Sequence, residues 1–257
     1  MPAQDDARER EMTLLFNLTV PEDRTRGGLD AQLEVDGQDV VPFELKSTTN
    51  DSVSTVRDFG PEHIAKWKHL HWLFAFYEKD GTTLRYCYYA SPADMADWVG
   101  DKEKYVLPDY VLASTAPTRV TDDDLTEIVG QGDSFSKAEA RQIMKNQWNA
   151  KQYKENADLP DARYSRGAML SLLQQRCEYL IRRGATLNNP HIPEKYLKDR
   201  VEPILKNHAS EVRRLVGEYF AAHAAQVASG ESPAEDQLNP VIADQASSAL
   251  ETDKATA

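Results

Sequence analysis

Residues 29–47 read LDAQLEVDGQDVVPFELKS, two short runs in which apolar and polar side chains alternate on either side of Asp36-Gly37. Asp-Gly between alternating runs is a strong hairpin signal, and alternation sends successive side chains to opposite faces of a sheet. No other stretch of the chain restricts its fold as much. In the second run Phe43 and Leu45 take one face, and Glu44 and Lys46 share the other. In the first, Leu29, Ala31, Leu33 and Val35 oppose Asp30, Gln32 and Glu34. Folding at the turn lays both polar faces on one side of the sheet, so that the strand of Asp30 runs beside that of Glu44.

Around this hairpin the spacing predicts a mixed order of helices and strands. The opening segment, residues 5–18, reads as a helix that could pass into a strand at TLLFNLTV, and the polar run from Ser47 to Arg57 reads either as a segment whose hydroxyls and amides could approach DNA or as a plain exposed loop. PEHIAKWKHLHW reads as a short helix opened by Pro61, carrying His63, His69 and His71 at spacings of six and two, which do not gather imidazoles for zinc. WLFAFYE and TLRYCYYA are strands flanking KDGT, and Ser91 with Asp94 caps the next helix. Beyond residue 120 the pattern is helical alone. Thr121 caps one helix, Ser136 and Glu139 box the start of another over AEARQIMKNQWNAKQY, and longer helices fall near 165–183 and 209–226. The expected organisation is a core over 1–120, a helical DNA-binding or dimerisation region over 121–226 and a flexible acidic tail over 227–257. The fold class is α/β of the α+β kind: a mixed sheet flanked by helices, with a mainly helical C-terminal region.

Composition removes several function classes. A chain of 257 residues with mean hydropathy -0.62 has no apolar run near the ~18 residues needed to span a bilayer, so no membrane partner is expected. The first eleven residues carry charges of both signs and no apolar stretch, which argues for a cytoplasmic protein, as do two distant cysteines, Cys87 and Cys177. P-loop, dinucleotide-binding and nucleophile-elbow motifs are missing, so no nucleotide cofactor is expected. The formal charge of -12 argues against a polyanionic partner until its distribution is read. Residues 137–183 carry 10 basic and 5 acidic groups, a net +5 block inside an acidic chain.

Two carboxylates held close together repel unless a cation sits between them. Hard oxygen ligands suit Mg²⁺, which keeps several waters and completes its shell from a phosphate. An ammonium at the next position on the same face can orient water and offset charge building on a phosphorane. The layout is that of phosphodiester hydrolysis, with Asp30 and Glu44 as metal ligands and Lys46 positioning or helping to deprotonate the nucleophile. Glu44-Leu45-Lys46 is the single acidic-x-Lys triplet among the fourteen lysines. The competing reading is an exposed hairpin edge with a surface ion pair of little energetic value.

Asp30, then Glu44-x-Lys46 fourteen residues on, followed by a helix and two strands, resembles the PD-(D/E)xK nucleases, and the polar run after the lysine is similar to type II restriction endonucleases. Leu29 stands where the family name has proline. The resemblance covers roughly residues 5–90. It implies a restriction-endonuclease-like sheet core, Mg²⁺-dependent hydrolysis of double-stranded DNA to a 5′-phosphate and a 3′-hydroxyl, a homodimer and a functionally paired DNA methyltransferase. It also raises a third acidic ligand, Glu9 or Glu11.

A DNA-cutting core needs residues that hold the duplex, and the basic block supplies them. On one continuous helix Arg141, Lys145, Trp148 and Gln152 would share a face, with Gln147, Asn149 and Lys151 around the turn. These are side-chain types that meet base edges or phosphates. Arg163 and Arg166 precede a helix where phosphate could sit; Arg182 and Arg183 with GATLNNPH form a second candidate reading loop, though Gly184 is also an ordinary helix cap. Packing of Trp148 and Met144 into a helical subdomain, with solvated charges, is the bland counterpart. Two rivals remain: a repair or recombination nuclease that recognises DNA structure, and a non-catalytic DNA-binding protein.

Overall fold

The structure, a computed structural model, describes residues 2–21, 28–35 and 40–247. In chain order the elements are α1 (Pro2–Leu15), β1 (Ala31–Leu33), β2 (Val41–Thr48), β3 (Ser52–Ser54), α2 (Pro61–Trp67), β4 (His71–Tyr77), β5 (Leu84–Ala90), α3 (Pro92–Thr115) and α4 (Asp122–Val129). There follow β6 (Ser134–Phe135), α5 (Lys137–Met144), α6 (Ala150–Glu155), β7 (Tyr164–Ser165), α7 (Arg166–Ala185), β8 (His191–Pro193), α8 (Glu194–Lys198), β9 (Pro203–Ile204) and α9 (His208–Ala228). The Asp36-Gly37 turn lies outside the described residues. Two compact units divide the chain, one formed by residues up to Tyr105 and from Leu187 onward, the other by Val106–Thr186.

The first unit is built on a five-stranded mixed sheet in the order β1-β2-β4-β5-β9, in which only β2 and β4 run parallel. Helices flank it, as the α+β reading expects. Alternation assigns its faces. Phe43 and Leu45 join Leu73, Ala75, Tyr77, Cys87 and Tyr89 in a core closed by Met12 and Phe16 at the end of the chain's first helical stretch and by Val212 and Val216 of α9. Glu44 and Lys46 face the other way, in register with Trp72 and Phe74 of β4. On that side Trp67 of α2 meets Trp72 edge-on at 4.8 Å, and Trp98 of α3 lies 5.8 Å from Trp67. Burying large aromatic rings in this way is what attaches helices to a sheet face.

Several local expectations change. The opening segment is helical, and after it Thr19 forms a bridge with Gln32 beside β1. The short helix opened by Pro61 ends at Trp67, so His71 begins β4 instead of sharing a helix with His63. The polar run after Lys46 is not a loop: β3 pairs antiparallel with β8, and Phe59 exchanges backbone hydrogen bonds with Leu187. Residues beyond 186 therefore return to the sheet unit, where sequence spacing placed 121–226 in one helical region. Two-residue strands such as β9 have no period to reveal them. The acidic tail is also anchored as far as Ser247, the last of its described residues. Residues 240–247 are helical, Ile242 and Ala246 are buried, and the buried Lys68–Glu103 ion pair at 2.8 Å receives the Gln237 carbonyl on its lysine and the Asn239 N–H on its glutamate.

The second unit gathers Leu125, Phe135, Ile143, Met144, Tyr153, Tyr164, Met169 and Leu172 around α7. Its caps follow the sequence. Ser136 Oγ accepts from Glu139 N while Glu139 Oε2 accepts from Ser136 N at 2.6 Å, and Asp124 Oδ2 accepts from both the N–H and the hydroxyl of Thr121 at 2.7 and 2.8 Å. The continuous helix expected from residue 137 to Gln152 does not form. It stops at Met144, Lys145 turns to φ 53°, and Asn149 caps a new helix by accepting from the N–H groups of Lys151 and Gln152. An Asn with Gln three residues later is a competing start signal, and here it wins. Helix α7 also runs through Gly184 to Ala185, so Gly184 is not its cap.

Candidate active site

The register of β1 and β2 pairs Ala31 with Phe43, and this carries Asp30 to the level of Glu44. Asp30 Oδ2 accepts a hydrogen bond from Leu45 N at 2.9 Å, which aims its carboxylate across the β2 backbone. Lys46 Nζ lies 2.6 Å from Glu44 Oε1 and 3.7 Å from Asp30 Oδ2, and it donates to Leu45 O at 3.2 Å. The three residues singled out by alternation therefore converge. They are not a solvated hairpin edge, because the Glu44 side chain is 5% exposed and those of Lys46 and Asp30 are 17%.

Electrostatics fixes the state of the lysine. Burial pushes the Lys46 ammonium down, but the Glu44 and Asp30 carboxylates, the hydrogen bond to Glu44 and the more distant Glu9 outweigh it, so its pKa is raised above the ordinary value. Lys46 is thus a fixed cation, suited to orient water or hold a phosphate oxygen and unsuited to take a proton while this pair persists.

Fit to a hard cation can be judged from the donors. Glu44 Oε2 is buried and has no hydrogen-bond partner, an arrangement whose cost a cation would remove. Two carboxylates are a sufficient protein share for Mg²⁺, which takes waters and substrate phosphate for the rest. Neither candidate third carboxylate completes a cluster. Glu11 Oε2 accepts from Tyr77 OH at 3.0 Å on the other side of the sheet, and Glu9 contributes its field to Lys46. Among the described residues, no group of three or more His, Cys, Asp or Glu is arranged to hold a metal.

Spacing within the strands did not show Lys66. This residue of α2 donates to Gly28 O at 2.8 Å and reaches 3.7 Å from Glu44 Oε2. The signal available was its place on the helix between the two central strands, but a helix face cannot be docked on a sheet from one sequence.

The expected DNA contacts are distributed differently from the single face predicted. Lys145 and Lys151 are exposed, with Lys151 3.8 Å from Glu155. Gln147 Oε1 accepts from Arg176 at 2.9 Å, and Asn149 and Gln152 are spent on capping α6. Trp148 rests against Tyr153 in the second unit's core. Arg163 donates to Ser134 Oγ and O, while Arg166 holds Asp122 at 2.6 Å and Gly132 O at 3.2 Å. Arg182 pairs with Glu178 at 3.2 Å, and Arg183 is exposed in the last turn of α7. The reading loop after them is engaged through its backbone: Asn189 N donates to Val56 O, and Thr55 N to Pro190 O.

Among the described residues no helix is long and apolar enough to cross a membrane. Compared with protein-family models and with curated proteins, the sequence finds no match, so the functional reading stands on the residues themselves.

Proposed function

We propose that the protein is a Mg²⁺-dependent nuclease that hydrolyses phosphodiester bonds of double-stranded DNA, with Asp30 and Glu44 holding the metal and Lys46 positioning water and phosphate. The observation that carries this reading is the buried Glu44 carboxylate, one oxygen on Lys46 and the other without a hydrogen bond, beside a second carboxylate. Such a group costs stability in a sheet that Leu or Val would fill, and charged groups kept at that cost cluster at functional sites. Bound there, Mg²⁺ supplies Lewis acidity to a phosphoryl oxygen and to water. The chain's own residues do the rest: Leu45 N aims the Asp30 carboxylate, and Lys46 brings a permanent positive charge to the developing phosphorane.

The resemblance to type II restriction endonucleases makes the reaction site-specific, carried out by a homodimer whose two-fold axis serves two antiparallel strands, in a cell that protects its own DNA with a paired methyltransferase. One observation favours a structure-selective nuclease instead. Gln147, Asn149, Gln152, Arg163 and Arg166, the side chains expected to meet DNA, are engaged within the second unit.

Incubating the full chain with long natural DNA, with and without Mg²⁺, and mapping the ends tests both. Discrete ends mean a sequence-specific enzyme, and a smear means structure selection. Glu44→Gln and Lys46→Met are each expected to lower the cutting rate by about 100-fold or more while leaving duplex affinity within a few-fold. Intact DNA in Mg²⁺, or cutting undiminished by either substitution, removes the proposal.

A further inference from the structure

Glu44 is bracketed by two lysines from different elements. Lys46 of β2 holds Oε1 at 2.6 Å, and Lys66 of α2 stops 3.7 Å from Oε2. The second distance is beyond hydrogen-bond reach, and Oε2 has no hydrogen-bond partner. A lysine placed merely to satisfy Glu44 would close that gap, since its four-carbon stem is flexible. Instead the ammonium donates to the Gly28 carbonyl at 2.8 Å and stays short of the carboxylate, and the side chain remains 32% exposed. Lys66 is thus poised at the mouth of a group whose other members are largely enclosed.

Charge balance gives this placement a meaning. Among the described residues two ammonium groups, those of Lys46 and Lys66, lie within 4 Å of the Glu44 carboxylate. A divalent cation entering the carboxylate pair adds two positive charges beside these ammonium groups, and a phosphodiester anion offsets part of that charge. Lysine acts on phosphate as a point charge, needing proximity more than bidentate alignment. We infer that Lys66 is a substrate-phosphate ligand, receiving a non-bridging oxygen of the DNA backbone beside the Asp30–Glu44–Lys46 group. This rests on the metal-dependent reading above, to whose three residues it adds a fourth with a separate task.

The two tasks of a lysine here have opposite signs. Its charge repels the metal and attracts the phosphate, whereas a strut that only held Gly28 in place would support both. The full chain is therefore compared with Lys66→Met and Lys66→Arg, using two probes. Mn²⁺ alone is titrated through tryptophan emission, for which Trp67 follows Lys66 and Trp72 lies in register with Glu44. A short DNA duplex is bound without divalent metal over a range of salt. Lys66→Met is expected to bind Mn²⁺ roughly three- to tenfold more tightly and to lower the slope of log affinity against log salt by about one, while Lys66→Arg retains both wild-type values. Lys66→Gln, which keeps a donor for Gly28 without the charge, gives the same readouts should the Met variant fail to fold.

Weaker Mn²⁺ binding in the neutral variants, or an unchanged salt slope, would show Lys66 to be a strut and overturn the inference with the nuclease reading intact. Absence of any Mn²⁺ binding that Glu44→Gln abolishes would overturn the metal site and this inference together.

Discussion

Glu44 and His71 show how one sheet treats two buried polar side chains differently. Glu44 lies between two lysines, Lys46 and Lys66, on the face it shares with Trp72 and Phe74. His71 stands on the opposite face with no charge to help it. Its Nδ1 is 2.7 Å from Tyr89 OH, and Tyr219 and Phe220 of α9 pack against the ring. Burial lowers its pKa from 6.5 to about 3, so the folded protein keeps the ring neutral where the unfolded chain would protonate it. Linkage sets the sign: a folded pKa below the unfolded one leaves stability whole above pH 6.5 and drains it as pH falls toward 3, by on the order of 5 kcal/mol. Urea unfolding of wild type and His71→Gln across that window should show a flatter pH dependence in the variant, whatever its stability at neutral pH. An equal slope in both would place the acid sensitivity elsewhere.

Among the elements, strands with clear alternation lie close to where their patterns put them. VVPFELKS became β2, and the runs on either side of KDGT became β4 and β5. Helix caps were equally legible, because a box such as Ser136 with Glu139 is a local arrangement with local consequences. The helix expected from residue 137 to Gln152 stops at Met144, although amphipathic spacing continues past a backbone that turns at Lys145. That residue holds φ 53°, ψ -133°, a conformation that suits glycine and costs a side-chain-bearing residue roughly 1–3 kcal/mol. Lys145→Gly should therefore stabilise the protein by roughly 1 kcal/mol in thermal or urea unfolding. Measured on the same sample, DNA affinity tells whether the strained lysine also contacts a phosphate: a drop in affinity with a gain in stability is the expected pair of changes.

At the scale of the molecule, the C-terminal segment matters more than its composition suggests. Ala, Ser, Glu and Pro dominate it, yet Glu235, Ile242, Gln245 and Ala246 are buried, and Lys68 and Glu103 rely on Gln237 O and Asn239 N to complete their hydrogen bonds. Ending the chain after Asp236 exposes that ion pair on one side and should cost about 3–5 kcal/mol, read as a lower thermal midpoint. A tail lying loose in solvent would be removed without effect. Sequence alone could settle whatever depends on neighbours along the chain: the faces of β2, the caps, the grouping of Glu44 with Lys46, and the lack of an apolar run long enough for a membrane. Tertiary structure decided the rest, namely that Asp30 sits level with Glu44, that Lys66 arrives from α2, that β8, β9 and α9 rejoin the sheet, and that most of the expected DNA contacts are spent internally. The reason is physical: alternation and capping are set within a few residues, whereas register, helix docking and the partners of a buried charge are chosen by segments far apart in sequence, whose meeting only the packed chain determines.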